Sequence, residues 1–148
     1  MRATFASWCA ELAASSVPAS LDHNDFHTNN ILGDGTGAAR FYDWGDSVVA
    51  HPFAVMLVAL NFLKHLLDCE RDDPRVRQAR DTYLDGFRPA APDEDLAATL
   101  ELACRVGKVA RALVWDRALQ AAREQSEPID DDWVTAPMET LFSLLDPT

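Results

Sequence analysis

Residues 53–63, FAVMLVALNFL, are the most apolar run in the chain. Eleven residues cannot cross a bilayer as a helix, which takes about 20. The run therefore reads as a buried helix, and a helix that is apolar on most sides must be covered by other apolar faces. The flanking sequence offers such faces. Residues 2–14, RATFASWCAELAA, place Phe5, Trp8, Cys9 and Leu12 on one side of a helix, which SSVPAS then ends, with Pro18 as the stop signal. DPRVRQARDTYLDGF starts with Asp73 as an N-cap and Pro74 at the first helical position, and Gly86 marks its end. Residues 92–125 open with acids suited to a helix N-terminus, and Gly107 is the expected point of a kink or break. A last helix is expected over much of 133–145, with a restart at Pro137.

One segment breaks the helical pattern. NILGDGTGAARFYDW, residues 30–44, predicts a short β-hairpin with arms Ile31, Leu32 and Arg40, Phe41, Tyr42. Its glycine-rich turn supplies the positive φ angles that tight hairpins need. The polar stretch before it, SLDHNDFHTNN, reads as a loop. The expected architecture is a mainly α domain of α+β character over residues 1–148, a helical bundle with one hairpin near its start. A chain of 148 residues can bury about 68–70% of its unfolded surface, enough for one core.

The net charge of −11 repels nucleic-acid phosphates and leans toward a cationic small-molecule partner. Cys9, Cys69 and Cys104 are odd in number and make no CxxC pair, which fits a reducing cytoplasm. Met1 and Arg2 lead into a mixed helix containing Glu11, not a signal sequence. No membrane or nucleic-acid partner is expected.

The chemistry concentrates in HNDFHTNN, residues 23–30. His23, Asp25 and Asn30 form H-x-D-x-x-x-x-N, and Asp43 follows thirteen residues after Asn30. Aspartate is ionised at neutral pH, so Asp25 can accept a hydrogen bond and then a proton from a hydroxyl. Asn30 and Asp43 offer hard oxygens of the kind Mg²⁺ takes, one or two from protein and the rest from water and phosphate. A hairpin between them returns the chain, so both can face one ion. Base, amide and carboxylate at these spacings match the catalytic loop and metal aspartate of kinases.

LDHNDFHTNNIL followed by FYDWGD resembles the core of the aminoglycoside phosphotransferase and choline kinase-like family, whose pattern is H-G-D-x-H-x-x-N-I/L-L and then I-D-W or I-D-F. The likeness includes His27 and the Ile31, Leu32 pair. It implies a kinase-like C-terminal lobe, with Asp25 as catalytic base and His23 bracing the loop. Asn30 and Asp43 would hold Mg²⁺ on ATP or GTP, and Leu32 and Tyr42 would pack against the nucleotide base. The implied reaction moves the γ-phosphoryl group to a small-molecule hydroxyl. Two positions depart from the pattern: Asn24 stands where the family has Gly, and VVAHPFAVM stands where many members have G-D-P-x-x-D-L.

Such an enzyme also needs an N-terminal lobe with a phosphate-covering turn and a strand lysine. Only 22 residues precede His23, and none is lysine or glycine. GDGTG at 33–37 follows the catalytic loop and reads as a turn, while Lys64 and Lys108 fall in helical sequence. The expectation is a lobe without its partner lobe, inactive alone, with an exposed apolar interface open to homodimerisation. Two rival readings use the same residues: a non-catalytic binding or dimerisation module, and a metal-dependent hydrolase with His23, Asp25 and His27 on Zn²⁺. Trp8, Trp115 and Trp133 read as packing residues, and Trp44 is the only tryptophan adjacent to the proposed site.

Overall fold

A computed structural model describes residues 2–144. Helix α1, Arg2–Ala13, is followed by strand β1, Ser20–Asp22. A 3₁₀ turn at Thr28–Asn30 leads into β2, Ile31–Gly33, and β3, Ala39–Phe41. After a second 3₁₀ turn at Trp44–Asp46 come β4, Val48–Ala50, and a third turn at Pro52–Val55. Helices α2, Met56–Leu67, α3, Pro74–Asp85, α4, Leu96–Glu124, α5, Asp131–Val134, and α6, Ala136–Phe142, complete the chain.

The hairpin forms as its glycines require. β2 and β3 are antiparallel, with Ile31 opposite Phe41 and Leu32 opposite Arg40. Gly35 and Gly37 take φ values of 76° and 94°, a region in which a Cβ is costly. A second antiparallel pair was not expected. Residues 20–22, read as loop, form β1 and pair with β4, Leu21 opposite Val49. Strands of three residues show no usable alternation, and this pairing closes around the whole catalytic loop and hairpin. It draws the start of the catalytic loop to the segment that leads into α2.

The apolar run does lie at the core. Phe53, Val76, Leu84 and Leu100 are fully buried there, with Met56, Leu60 and Ala103 around them. Phe53 meets the Phe87 ring edge-on, centroids 4.9 Å apart. The Tyr83 hydroxyl donates to the Pro52 carbonyl at 2.8 Å, and burial pushes its pKa up to about 12. Burial likewise pushes the Cys104 thiol up to about 12, so it is an inert core thiol. All three cysteines are free.

Helix α4 is the spine against which α1, α2, α6 and the Pro52–Val55 turn pack. It runs 29 residues without the break expected at Gly107. A Cβ at Gly107 would stand 3.4 Å from the Ala54 Cβ. A Cβ there would just reach contact with Ala54, and the packing around Gly107 carries the helix through it despite its weak helix propensity. Asp73 caps α3 by accepting from the Arg75 N–H at 2.8 Å. The terminal helix is split at Thr135, with Pro137 in the first turn of α6, and Leu145 lies outside the described residues. Phe5, Trp8, Cys9 and Leu12 are the half-buried residues of α1, as their spacing implied, and none is fully buried.

His51, within VVAHPFAVM, organises the turn that follows it. Its Nδ1 accepts from the Phe53 N–H at 3.2 Å, capping the Pro52–Val55 turn. Nε2 therefore carries the proton, and it donates to Ser15 Oγ at 3.0 Å. Ser15 in turn donates to Glu94 at 2.7 Å. A histidine that donates to the hydroxyl cannot deprotonate it, so this is a clamp and not a nucleophile with its base. The Thr99 hydroxyl, then the Ser15 hydroxyl and the Ser16 N–H, hold the Glu94 carboxyl down at about 2. Burial lowers the pKa of His51.

Both shifts act in one direction. Unfolded His51 takes up a proton near pH 6.5 that the folded chain resists, so stability falls as pH drops through that value. Glu94 adds stability that is full above its unfolded pKa and is lost as pH falls from about 4.5 toward about 2. Urea unfolding is expected to show lower stability at pH 5.5 than at pH 7.5, with a smaller difference in His51→Gln. An unchanged difference in that variant would take His51 out of the account.

Candidate active site

The HNDFHTNN loop leaves β1 through two residues that favour its sharp path. Asp22 is buried, and burial raises its pKa, countered by the Asn24 N–H, which donates to its carboxylate at 2.8 Å. Asn24 itself has φ 60°, in the left-handed region where Gly is the default and Asn the next best. The departure at position 24 therefore keeps the backbone geometry. Asn24 Nδ2 also donates to the Asp46 carbonyl at 3.3 Å, a bond glycine could not make. Asn24→Ala is expected to be less stable than Asn24→Gly by about 1 kcal/mol in urea denaturation. Equal stabilities would show that the backbone angle carries no cost there.

His23 is buried, and its Nε2 donates to the Tyr42 carbonyl at 2.8 Å. Its ring packs on Trp44, centroids 4.7 Å apart. It ties the catalytic loop to the residue preceding Asp43, a bracing geometry, and Nδ1 is left buried without a partner among the described residues.

Asp25 sits at a meeting point of three elements. Its Oδ2 is 3.3 Å from His27 Nε2, and its Oδ1 is 3.0 Å from an Arg111 nitrogen on α4. The His27 ring stacks on Phe62 of α2, centroids 4.9 Å apart. Asn30 is buried and donates through Nδ2 to the Asp25 carbonyl at 2.9 Å. That bond fixes Asn30 to Asp25 and leaves its amide oxygen without a hydrogen bond among the described residues. The hairpin ladder continues one step past its strands, with Tyr42 N–H donating to the Asn30 carbonyl at 3.2 Å. Asp43 is the next residue. It is exposed, has φ 61°, and its carboxylate has no partner among the described residues.

One amide oxygen and one unpaired carboxylate, just before and just after the hairpin strands, fit a hard divalent cation completed by water and phosphate. The zinc trio does not assemble. Among the described residues no three His, Cys, Asp or Glu side chains are placed to hold an ion together, because His23 turns to Tyr42 while His27 is stacked on Phe62. Leu32 and Tyr42 are both exposed. Leu32 pairs with Arg40, and Tyr42 lies two residues beyond Arg40, on the same face. The Tyr42 hydroxyl donates to the Asn29 carbonyl.

Arg111 was missed by sequence reasoning. Besides Asp25 it donates to the Asn24 carbonyl at 3.2 Å, and its guanidinium lies 4.8 Å from the Trp115 ring centroid. The i, i+4 spacing of Arg111 and Trp115 was the available signal. A cavity of about 550 Å³ opens beside Asp25, walled by α2, α4 and the α5–α6 region. Trp115 and Trp133 pack on each other, centroids 4.6 Å apart, and both also line it.

A loop carboxylate, an amide bonded to it and a hairpin aspartate give the layout of a kinase catalytic loop with its metal aspartate. The chain belongs to the phosphotransferase enzyme family, whose family model matches residues 1–93. Searches of curated proteins and of solved structures return no match. The family match covers α1 through α3 and every residue of HNDFHTNN, while α4, with Arg111 and Trp115, lies beyond it. No helix among the described residues is long and apolar enough to cross a membrane.

Proposed function

We propose that this chain is the catalytic lobe of a small-molecule kinase that moves the γ-phosphoryl group of ATP or GTP to a substrate hydroxyl. The observation that carries the reading is the bonding of Asn30 to Asp25 on a loop whose hairpin delivers Asp43 one residue beyond Asn30's ladder partner. Asp25 would orient the acceptor hydroxyl and take its proton. His23 would hold the loop to the hairpin. Asn30 and Asp43 would hold Mg²⁺, which when bound neutralises charge on the phosphates. Catalysis would be mainly positioning and electrostatics. The cavity beside Asp25 is of a size suited to a small acceptor.

A partner lobe would supply the phosphate cover and lysine. The exposed Leu32, Phe41, Tyr42 and Trp44 support a covering surface at the hairpin, for the nucleotide base and that lobe. Without the lobe, the same face is open to a second copy of the chain. Mn²⁺ with ATP, added to the isotope-labelled chain, is expected to broaden the amide resonances of Asn30 and Asp43 before those of α3, and Asp43→Ala to remove the effect. No broadening at either residue would remove the metal assignment. Robust nucleotide-dependent phosphorylation by the 148-residue chain alone would overturn the need for a second lobe.

A further inference from the structure

The chain as a whole is strongly acidic, but the cavity beside Asp25 is not. Among the described residues Asp25 is the one Asp or Glu that lines it, together with Lys108 and Arg111. Asp25 is already paired with Arg111. A polycationic acceptor needs several carboxylates to replace the water it gives up, because desolvated unpaired charge is costly. The described residues of this lining have none to spare.

The remaining walls favour a flat molecule. Phe62, Trp115 and Trp133 bring three aromatic rings to one cavity. The Arg111 guanidinium is held between Asp25, the Asn24 carbonyl and the Trp115 ring. Those contacts use part of its fork of five donors and leave others for a ligand. A planar guanidinium already fixed in place binds a carboxylate with little further ordering cost. Lys108 stands on the same wall, its Nζ donating to the Ser143 carbonyl at 2.8 Å.

We infer that the acceptor is a planar hydroxy compound bearing a carboxylate, seated against the exposed Trp133 side of the tryptophan pair with its anionic end toward Arg111, and not an aminoglycoside or other polyamine. This rests on the reading that the acceptor hydroxyl meets Asp25. It runs against the chain's net charge, because the field that decides ligand class is that of the cavity wall.

The test is a binding titration of the 148-residue chain followed by tryptophan fluorescence and amide shifts, without metal or nucleotide. The probes are para-(hydroxymethyl)benzoate, its amine analogue para-(hydroxymethyl)benzylamine, and kanamycin. The benzoate is expected to bind at least about tenfold tighter than either cation, moving the resonances of Trp115 and Trp133. Arg111→Gln should abolish that preference. If that variant does not fold, Asn61→Asp, which adds a carboxylate to the exposed rim of the same cavity, should shift the preference toward the amine. Tighter binding of the amine or kanamycin overturns the inference, as does a benzoate preference untouched by these variants. Absence of saturable binding by all three also overturns it. Failure of the kinase reading would appear separately, in the Mn²⁺ experiment at Asn30 and Asp43.

Discussion

Replacing Asp25 by alanine in the proposed two-lobed kinase is expected to lower kcat by about 10²–10⁴, with a smaller change in KM for the nucleotide. The asymmetry follows from where the side chain sits. Its carboxylate faces the cavity with His27 and Arg111, whereas the proposed metal ligands are Asn30 and the separate hairpin residue Asp43. Asn30 is held chiefly by the backbone carbonyl of Asp25, at 2.9 Å, with a longer 3.4 Å contact to its side chain. The substitution therefore keeps the anchor of Asn30 while removing the base. It also leaves Arg111 without its carboxylate, so a companion Asp25→Asn variant separates charge loss from loss of the base's position. Both variants should keep Mn²⁺ broadening at Asn30 and Asp43. Turnover within a few-fold of the parent would remove Asp25 from the mechanism.

How much of this was legible before the structure depended on the distance over which each feature acts. The hairpin could be read because its turn needs particular glycines within five residues. Helix α3 could be read because Asp73 and Pro74 cap it locally. The Asp25, Asn30 and Asp43 set lies within one loop and one hairpin, so chain spacing alone places it. The features that were missed are all tertiary. β1 and β4 pair across the whole catalytic segment, and neither is long enough to show a period. Gly107 has a helix breaker's composition, and only the proximity of Ala54 shows why a helix passes through it. Arg111 reaches a carbonyl 87 residues away in the chain, and the i, i+4 spacing to Trp115, its one local mark, does not point to that carbonyl. Glu94 is similar, since its partner Ser15 is 79 residues distant. The polar loop and its hairpin were written locally, whereas the wall of the adjoining cavity is assembled by packing.

That division makes Phe53 the residue whose loss should be felt furthest. Phe53→Ala is expected to cost about 3–5 kcal/mol in urea unfolding, a large share of the 5–15 kcal/mol that roughly bounds the stability of a domain. Its side chain is fully buried, at 0% exposure, and meets His51, Tyr83 and Phe87 with ring centroids 4.7, 6.1 and 4.9 Å away. Truncation leaves a cavity that these rings cannot refill without breaking the Tyr83 bond to Pro52 or the His51 cap. His51 follows directly on β4, and β4 is the strand that holds β1, from which Asp22, His23 and Asp25 emerge. Slack at Phe53 should therefore reach the catalytic loop, seen as faster amide exchange from Leu21 to Asp25 at denaturant concentrations that leave α3 protected. Leu32→Ala serves as the contrast. That side chain is 60% exposed, and its removal should change stability by no more than about 0.5 kcal/mol. If the two variants unfolded alike, the hairpin face would be buried in solution and the Phe53 cluster would not be the keystone that sets the loop.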